Sequence, residues 1–223
     1  MKVYSLNVAS PEKVIFNNKE LVTSIFKKPV NTKLFLSKKG LENDKQADLT
    51  SHGGKYKALY GYSYEHYSYW GQFLEKDFSK EYGLVGENLT ISTFDEKEVN
   101  IGDEYKIGDA IVKVSQPRIP CFKLGIKMNS RGFVKDFINS NKLGVYFQVI
   151  KEGYIQKDDD LEILNRANHN VSIFNVSNLL FLDTTNYLEM KSLLDLKILS
   201  PEVEEKFQSR CVKAGIYLSL IHI

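Results

Sequence analysis

Apolar positions in the first two-thirds of the chain come in short, frequently interrupted runs, which is the pattern of β structure. Val3–Val8 reads as a short mixed strand, and residues 23–26 and 34–36 as brief apolar runs separated by a break at Pro29-Val30-Asn31. Residues 99–113 predict the clearest hairpin. Tyr105 and Ile107 alternate with Glu104 and Lys106, Gly108-Asp109 supplies the turn, and Ala110, Val112 and Val114 alternate with Ile111 and Lys113. Residues 145–150 are apolar on both faces apart from Gln148, which predicts a strand buried on both sides. Asp158-Asp159-Asp160 marks a turn into a further strand over 161–164.

Helical spacing is rarer in this part. Residues 63–78 place Tyr64, Tyr67, Trp70, Phe73 and Leu74 at three- and four-residue steps, and residues 132–140 do the same with Phe133, Phe137 and Ile138. After about residue 166 the texture changes. Residues 171–180 fit a short strand or a helix. Asn186-Tyr187-Leu188-Glu189 has capping-box spacing, followed by Tyr187, Met190 and Leu194 on one face. Ser200-Pro201-Glu202 supplies an N-cap, a first-turn proline and an early acid, with Val203 and Phe207 four apart. The expected fold class is therefore mainly β (α+β): a β-rich unit over residues 1–166, a three-helix unit over 167–213, and a tail over 214–223 to which no role is assigned.

Composition narrows the function classes. The 223 residues carry 30 basic and 28 acidic side chains, a net charge of +2, and 43% hydrophobic residues. So even a balance argues against stable nucleic-acid binding, which needs a broad basic surface. Two cysteines, Cys121 and Cys211, make no disulfide framework and fit a reducing compartment. The first residues are too short and polar for a secretory h-region, and no run of about 18 apolar residues exists to span a membrane. The expected location is cytoplasmic. No G-x-S-x-G, P-loop, G-x-G-x-x-G, H-E-x-x-H or paired C-x-x-C occurs, and His52, His66, His169 and His222 lie too far apart for a local zinc site.

The segment richest in chemistry is Ser115-Gln116-Pro117-Arg118-Ile119-Pro120-Cys121-Phe122-Lys123. Two prolines stiffen the loop, so little entropy is lost in presenting Cys121 in one direction. Arg118 and Lys123 flank it with positive charge, which favours the thiolate that soft metals and sulfur chemistry need. The alternative is a small buried cysteine behind a rigid loop. In Ser51-His52-Gly53-Gly54-Lys55, the glycines free the backbone to form an anion nest with His52 and Lys55 as charge partners; otherwise it is a plain turn. Gly86-Glu87-Asn88-Leu89 is either a turn or a carboxylate and amide aimed at a heterocycle. The tyrosines from Tyr56 to Tyr69, with Trp70, fit a strand and helix packed on the core better than a base-stacking platform. Cys211 reads as structural.

Taken together, these segments resemble the MOSC family, named for the C-terminal domain of molybdenum cofactor sulfurases, in its YiiM-like branch. The matching stretches are Ile25-Phe26-Lys27-Lys28-Pro29-Val30, the run from Gly40 to Asp48, His52-Gly53-Gly54, the Glu65-His66-Tyr67-x-x-Trp70 helix and Gly83-x-x-Gly86-Glu87-Asn88-Leu89. Ile101-Gly102-Asp103 and the run from Val114 through Pro117-Arg118-x-Pro120-Cys121 to Leu124 complete the set. The resemblance covers residues 20–165, and the helical tail is similar to the three-helix appendage of this branch.

That resemblance implies a β-barrel-like domain binding a pterin-based molybdenum cofactor, with Cys121 as metal ligand and catalytic residue. It implies two-electron reduction of small N-hydroxylated compounds such as hydroxylamino purines, amidoximes and hydroxylamines. Arg118, Lys27, Lys45, His52, Gly53 and Gly54 would hold the anionic cofactor, while Asp44, Glu87 and Asn88 would bond the pterin or shape the substrate pocket. With no flavin- or nicotinamide-binding motif in the chain, an external electron-donor reductase is expected as partner; monomer and dimer both stay open. Asn43 stands where many members have glycine, and asparagine tolerates a left-handed backbone better than most residues. Two other readings of the cysteine loop remain: a sulfur carrier holding a Cys121 persulfide, and a non-catalytic cofactor-binding module.

Overall fold

The computed structural model describes residues 1–47 and 53–216, so His52 and the last seven residues lie outside the described part. The strands are β1 (Val3–Val8), β2 (Glu12–Phe16), β3 (Lys19–Thr23), β4 (Lys28–Val30), β5 (Leu34–Ser37), β6 (Gly40–Leu41) and β7 (Leu59–Ser63). They continue as β8 (Leu89–Ile91), β9 (Glu104–Ile107), β10 (Ala110–Pro117), β11 (Val145–Lys151), β12 (Gly153–Ile155) and β13 (Leu161–Asn165). The helices are α1 (Glu65–Leu74), α2 (Phe122–Lys127), α3 (Phe133–Ser140), α4 (Ile173–Phe181), α5 (Tyr187–Asp195) and α6 (Pro201–Lys213).

Eight strands form one sheet in the order β13-β9-β10-β11-β7-β8-β1-β4. Its pairs are antiparallel except β7 with β8, which run parallel because α1 carries the chain across between them. The sheet curls until the start of β1 meets the approach to β13. There Val3 N–H donates to the Asp159 carbonyl at 2.9 Å, Asp158 N–H to the Val3 carbonyl at 2.8 Å, and Leu161 N–H to the Met1 carbonyl at 2.7 Å. These bonds close the barrel-like body and cover the β13 edge, leaving β4 as the free edge.

The hairpin at residues 104–117 forms as its alternation predicts: Tyr105, Ile107, Ala110, Val112 and Val114 all point into the core. Two readings change. β11 is buried on one face only, with Val145, Phe147 and Val149 in the core, Tyr146 and Gln148 half-buried and Ile150 exposed. The apolar run at 23–26 is not a strand; β3 ends at Thr23, and the Pro29 break instead lies inside β4, an edge strand where a missing N–H costs no ladder bond. A β2–β3 hairpin, which the sequence pattern gave no reason to expect, stands apart as its own two-stranded sheet.

The aromatic stretch packs inward, as β7 followed by α1. Tyr60, Tyr62, Tyr67 and Trp70 are buried with Phe133 and Phe137 of α3, and the Trp70 indole N–H donates to the Tyr62 hydroxyl at 2.6 Å. Residues 171–180 resolve as helix α4, capped by Ser172, whose hydroxyl accepts from Asn175 N–H at 3.1 Å. Asn186 caps α5 from its side chain, although the Glu189 carboxylate takes the Asn186 side-chain amide rather than its backbone N–H.

Helices α4 to α6 share one continuous hydrophobic cluster with the barrel, including Val176, Leu179, Met190, Phe207 and Cys211. The entry to α4 is also tied to the barrel by Ile101 N–H to the Val171 carbonyl and Ile173 N–H to the Val99 carbonyl. Helices and barrel should therefore unfold together. Phe207→Ala, removing a fully buried ring, is expected to cost about 3–5 kcal/mol and to lower a single denaturant midpoint. Two separate transitions would contradict that coupling.

Candidate functional site

Strand β10 delivers Pro117 and Arg118 to the rim of the barrel, and the chain then turns through Pro120 into α2. Cys121 sits at the start of α2 in an extended conformation, its carbonyl accepting from Leu124 N–H at 3.0 Å. It is half-buried, which sets aside the reading of a cysteine sealed behind a rigid loop. Cys211 is buried in α6, as a structural cysteine would be. Beside Cys121 opens a cleft of about 590 Å³, open solvent at its mouth included. Lys27, Asn88, Arg118, Lys123, Tyr60 and Tyr146 are among its lining residues.

Arg118 is 6% exposed, an unusual state for a cation. One guanidinium nitrogen donates to the Val85 carbonyl at 2.5 Å, and the group lies 4.8 Å from the centre of the Tyr60 ring and 5.7 Å from that of Phe137. Burial opposes its charge, but Tyr60, Tyr146 and Cys121 outweigh it and hold Arg118 above its ordinary pKa. Burial pushes Tyr60 and Tyr146 up in turn, so both remain neutral phenols.

Lys27 is the second buried cation, held by Asp44 in an ion pair whose side chains are 8% and 4% exposed. Burial draws Lys27 below the ordinary lysine range, Asp44 pulls the other way, and Arg118 adds to the lowering. Asp44 also accepts from Ala9 N–H at 2.9 Å and from the Asn88 side-chain amide at 2.9 Å. The bend that presents it passes through Asn43, whose φ of 64° is the left-handed conformation an asparagine can adopt in place of glycine.

Two glycines press the Lys27 segment into place. A Cβ on Gly83 would meet the Lys27 carbonyl at 2.8 Å, and one on Gly86 would meet Ile25 at 2.9 Å; both have positive φ. The Ser24 hydroxyl, on the same wall, is buried without a partner in the described structure. Two buried cations, an unsatisfied hydroxyl and a thiol on one cleft are a donor set suited to an anionic ligand bearing a soft metal.

The structure thus brings Cys121, Lys27, Arg118 and Asn88 to one cleft, with Asp44 directly behind Lys27. Other candidates fall elsewhere. Glu87 is fully buried on the core side, accepting from the Tyr67 hydroxyl, Val85 N–H and Thr90 Oγ1. Lys45 is exposed and outside the cleft lining. Gly53 is also outside it, and Gly54, at φ 95°, lines a separate depression with Lys38, Lys39 and Lys55. Asn88 spends its amide on Asn7, Asp44 and Tyr60 N–H, so it clips strands together as well as facing the cleft. Ser24, Tyr60 and Tyr146 were not legible as site residues: no local motif marks them, and only the barrel brings them together. Among the described residues, no cluster of three or more His, Cys, Asp or Glu is placed to hold a metal ion, so a metal here would take most of its ligands from a cofactor. No helix among them is long and apolar enough to cross a membrane.

The sequence model of the MOSC domain matches residues 48–162, more than half of the chain and the part that carries the Cys121 loop. The chain belongs to the MOSC domain family. This MOSC protein is 34% identical to the uncharacterized protein YflK of Bacillus subtilis (strain 168) over 208 residues, 93% of each chain. It is 33% identical over 159 residues to a protein of Gibberella moniliformis (strain M3125 / FGSC 7600) named "Reductase", covering 70% of this chain and 28% of that one. The crystal structure of YiiM from Geobacillus stearothermophilus superposes with a TM-score of 0.79 at 31% identity, over 94% of this chain and 98% of that one. The MOSC chain is YiiM-like in sequence and in fold.

Asp44→Ala would strand Lys27, the Ala9 N–H and the Asn88 amide at once. It is expected to lower unfolding stability by about 3–5 kcal/mol, the range for breaking a buried ion pair, as read by urea titration. A loss below about 1 kcal/mol, the range for exposed pairs, would show that the pair is not buried in solution. Because Lys27 titrates below the ordinary lysine range, binding of inorganic phosphate should weaken as pH rises toward that range, and Lys27→Arg should delay the weakening. Calorimetric titration at successive pH values checks it; identical pH profiles for the two proteins would count against it.

Proposed function

We propose that this MOSC protein is a molybdenum-cofactor-dependent reductase of N-hydroxylated compounds, with Cys121 as a protein ligand to the metal. The observation that carries the reading is the convergence of the Cys121 thiol with two buried cations, Lys27 and Arg118, on one cleft. The family itself and the name of the fungal relative support an oxidoreductase role.

The overall change is R–NH–OH + 2 electrons + 2 protons → R–NH₂ + H₂O. The N–O bond breaks, the nitrogen is reduced, and the oxygen leaves in water. The cofactor, when bound, would supply the two-electron redox chemistry. The chain's own residues bind and orient. Arg118 keeps its charge and offers donors to an anionic group, its guanidinium fixed by Val85 and the Tyr60 ring. Lys27, anchored by Asp44, offers a second ammonium, and Ser24 a hydroxyl with no competing partner. The neutral phenols of Tyr60 and Tyr146 narrow the site and limit water, which strengthens each charged contact. Cys121 provides a soft sulfur donor where an alcohol would bind such a metal weakly. Electrons would come from a separate donor reductase.

Positive charge beside Cys121 would serve a persulfide carrier as well, but such a carrier needs no second buried ammonium anchored by its own carboxylate on a ligand-sized recess, so the Lys27–Asp44 pair favours the reductase reading. Cys121→Ser, in full-length protein prepared in a host that makes the cofactor, is expected to abolish reduction of 6-hydroxylaminopurine while leaving the circular dichroism spectrum unchanged. Wild-type turnover by this variant, or a cofactor-loaded wild type that reduces no N-hydroxylated compound, would overturn the proposal.

A further inference from the structure

Cys121 borders a second opening. A groove that neither Lys27 nor Arg118 lines runs between the tip of the β2–β3 hairpin and helices α2 and α3, and among the described residues Cys121 is the one shared by the linings of groove and cleft. The two spaces differ in chemistry. The cleft is cationic, whereas the groove is walled by Ile15, Phe16, Phe122, Ile126 and Val134 with the uncharged polar Asn17, Asn129 and Ser130 at its edge, and Arg131 is its one charged lining residue among those described.

Val134 packs against the core cluster of Trp70 and Phe137, whereas Ile15 and Phe122 cover no core. Ile15 is 73% exposed and Phe122 53% exposed, while the Phe16 and Phe122 rings pair across the groove floor at 5.9 Å between centroids and 34° between planes. The hairpin that carries Phe16 is held in register by a two-residue turn, Asn17-Asn18, in which both residues have the positive φ such a turn requires (51° and 59°). The turn sets which residues face each other along the hairpin, and the ring pair with Phe122 places Phe16 beside α2.

We propose that this groove is the substrate-recognition site. The non-reacting body of the substrate, a planar and uncharged aromatic or heteroaromatic ring, lies against Phe122 and Phe16 with its N-hydroxyl group directed to Cys121. The inference rests on the reductase reading for what happens at the hydroxyl, but not for the binding itself. An anionic ligand belongs in the cationic cleft, which leaves the apolar side of the same thiol for an uncharged partner. Paired aromatic rings favour a flat ring over an aliphatic chain because offset stacking adds to burial. Phe16 and Phe122 are then specificity-determining residues, contributed by two elements far apart in sequence.

Calorimetric titration of the full-length chain with benzamidoxime and acetamidoxime tests this, because the two share the N-hydroxyl head and differ in ring against methyl. Wild type is expected to bind benzamidoxime about tenfold more tightly, the scale of one stacking contact plus ring burial. Phe122→Ala and Phe16→Ala should each remove the preference. Phe122→Tyr should keep it, and so should Phe73→Ala, which truncates an exposed ring on α1 outside the groove. Equal affinities in wild type, or a preference that survives both alanine variants, would overturn the proposal. Loss of donor-protein-supported turnover in Phe122→Ala with ring binding intact would also overturn it, by assigning the groove to a protein. Ring preference without reduction by cofactor-loaded protein would refute the reductase reading and leave the groove standing; reduction without ring preference would do the reverse.

Discussion

Everything at the site depends on keeping two cations in a place that water hardly reaches. An ammonium or guanidinium taken out of water is strongly disfavoured unless its charge and hydrogen bonds are met by protein groups. Asp44 meets that demand for Lys27, and it does so while also accepting from the backbone of Ala9 and the side chain of Asn88. One carboxylate thereby joins the loop after β6, the end of β1, the segment before β4 and the strand at β8. Arg118 is satisfied differently, by the Val85 carbonyl and the faces of Tyr60 and Phe137. Glycines at 83 and 86 let the backbone that carries Val85 approach the Lys27 segment closely enough for both arrangements to exist.

This explains why the chain is a barrel with attachments rather than a barrel alone. The closed sheet fixes the ends of β7, β10 and β11, from which Tyr60, Arg118 and Tyr146 reach one space. Helix α3 backs Arg118 with Phe137, and the β2–β3 hairpin extends past the rim to cover the other side of Cys121. A single thiol thus faces a charged compartment and an apolar one. That division suits a reaction in which an anionic cofactor is retained while uncharged substrates exchange.

Sequence periodicity found the elements whose two faces differ in environment. The β9–β10 hairpin, the buried face of α3 and the cap of α5 were all legible because polar and apolar positions separate cleanly there. It failed where tertiary context decides. β11 reads as buried on both sides because Tyr146 and Ile150 look apolar, yet Tyr146 faces the cleft and Ile150 the solvent. The β2–β3 hairpin escaped notice because Glu12, Lys13, Lys19 and Glu20 mask its alternation and its apolar residues have no core behind them. The Cys121 loop was legible from its prolines and flanking charges. Glu87 was not: it sits in a motif beside the cleft, but the loop before β8 turns the carboxylate inward to Tyr67 and Thr90. Asn43 shows the reverse case: the glycine that many family members have there, together with asparagine's tolerance of a left-handed backbone, anticipated the positive φ of this turn.

The central claim is that Lys27 and Arg118 form the seat of an anionic, metal-bearing cofactor beside Cys121. Its most direct test is the molybdenum content per chain, by mass spectrometry of the metal, in full-length protein purified from a host that makes the cofactor. Wild type should carry close to one equivalent, and a Lys27→Ala/Arg118→Ala double variant that remains folded should carry almost none. Equal molybdenum in the two proteins, or none in the wild type, would contradict the account.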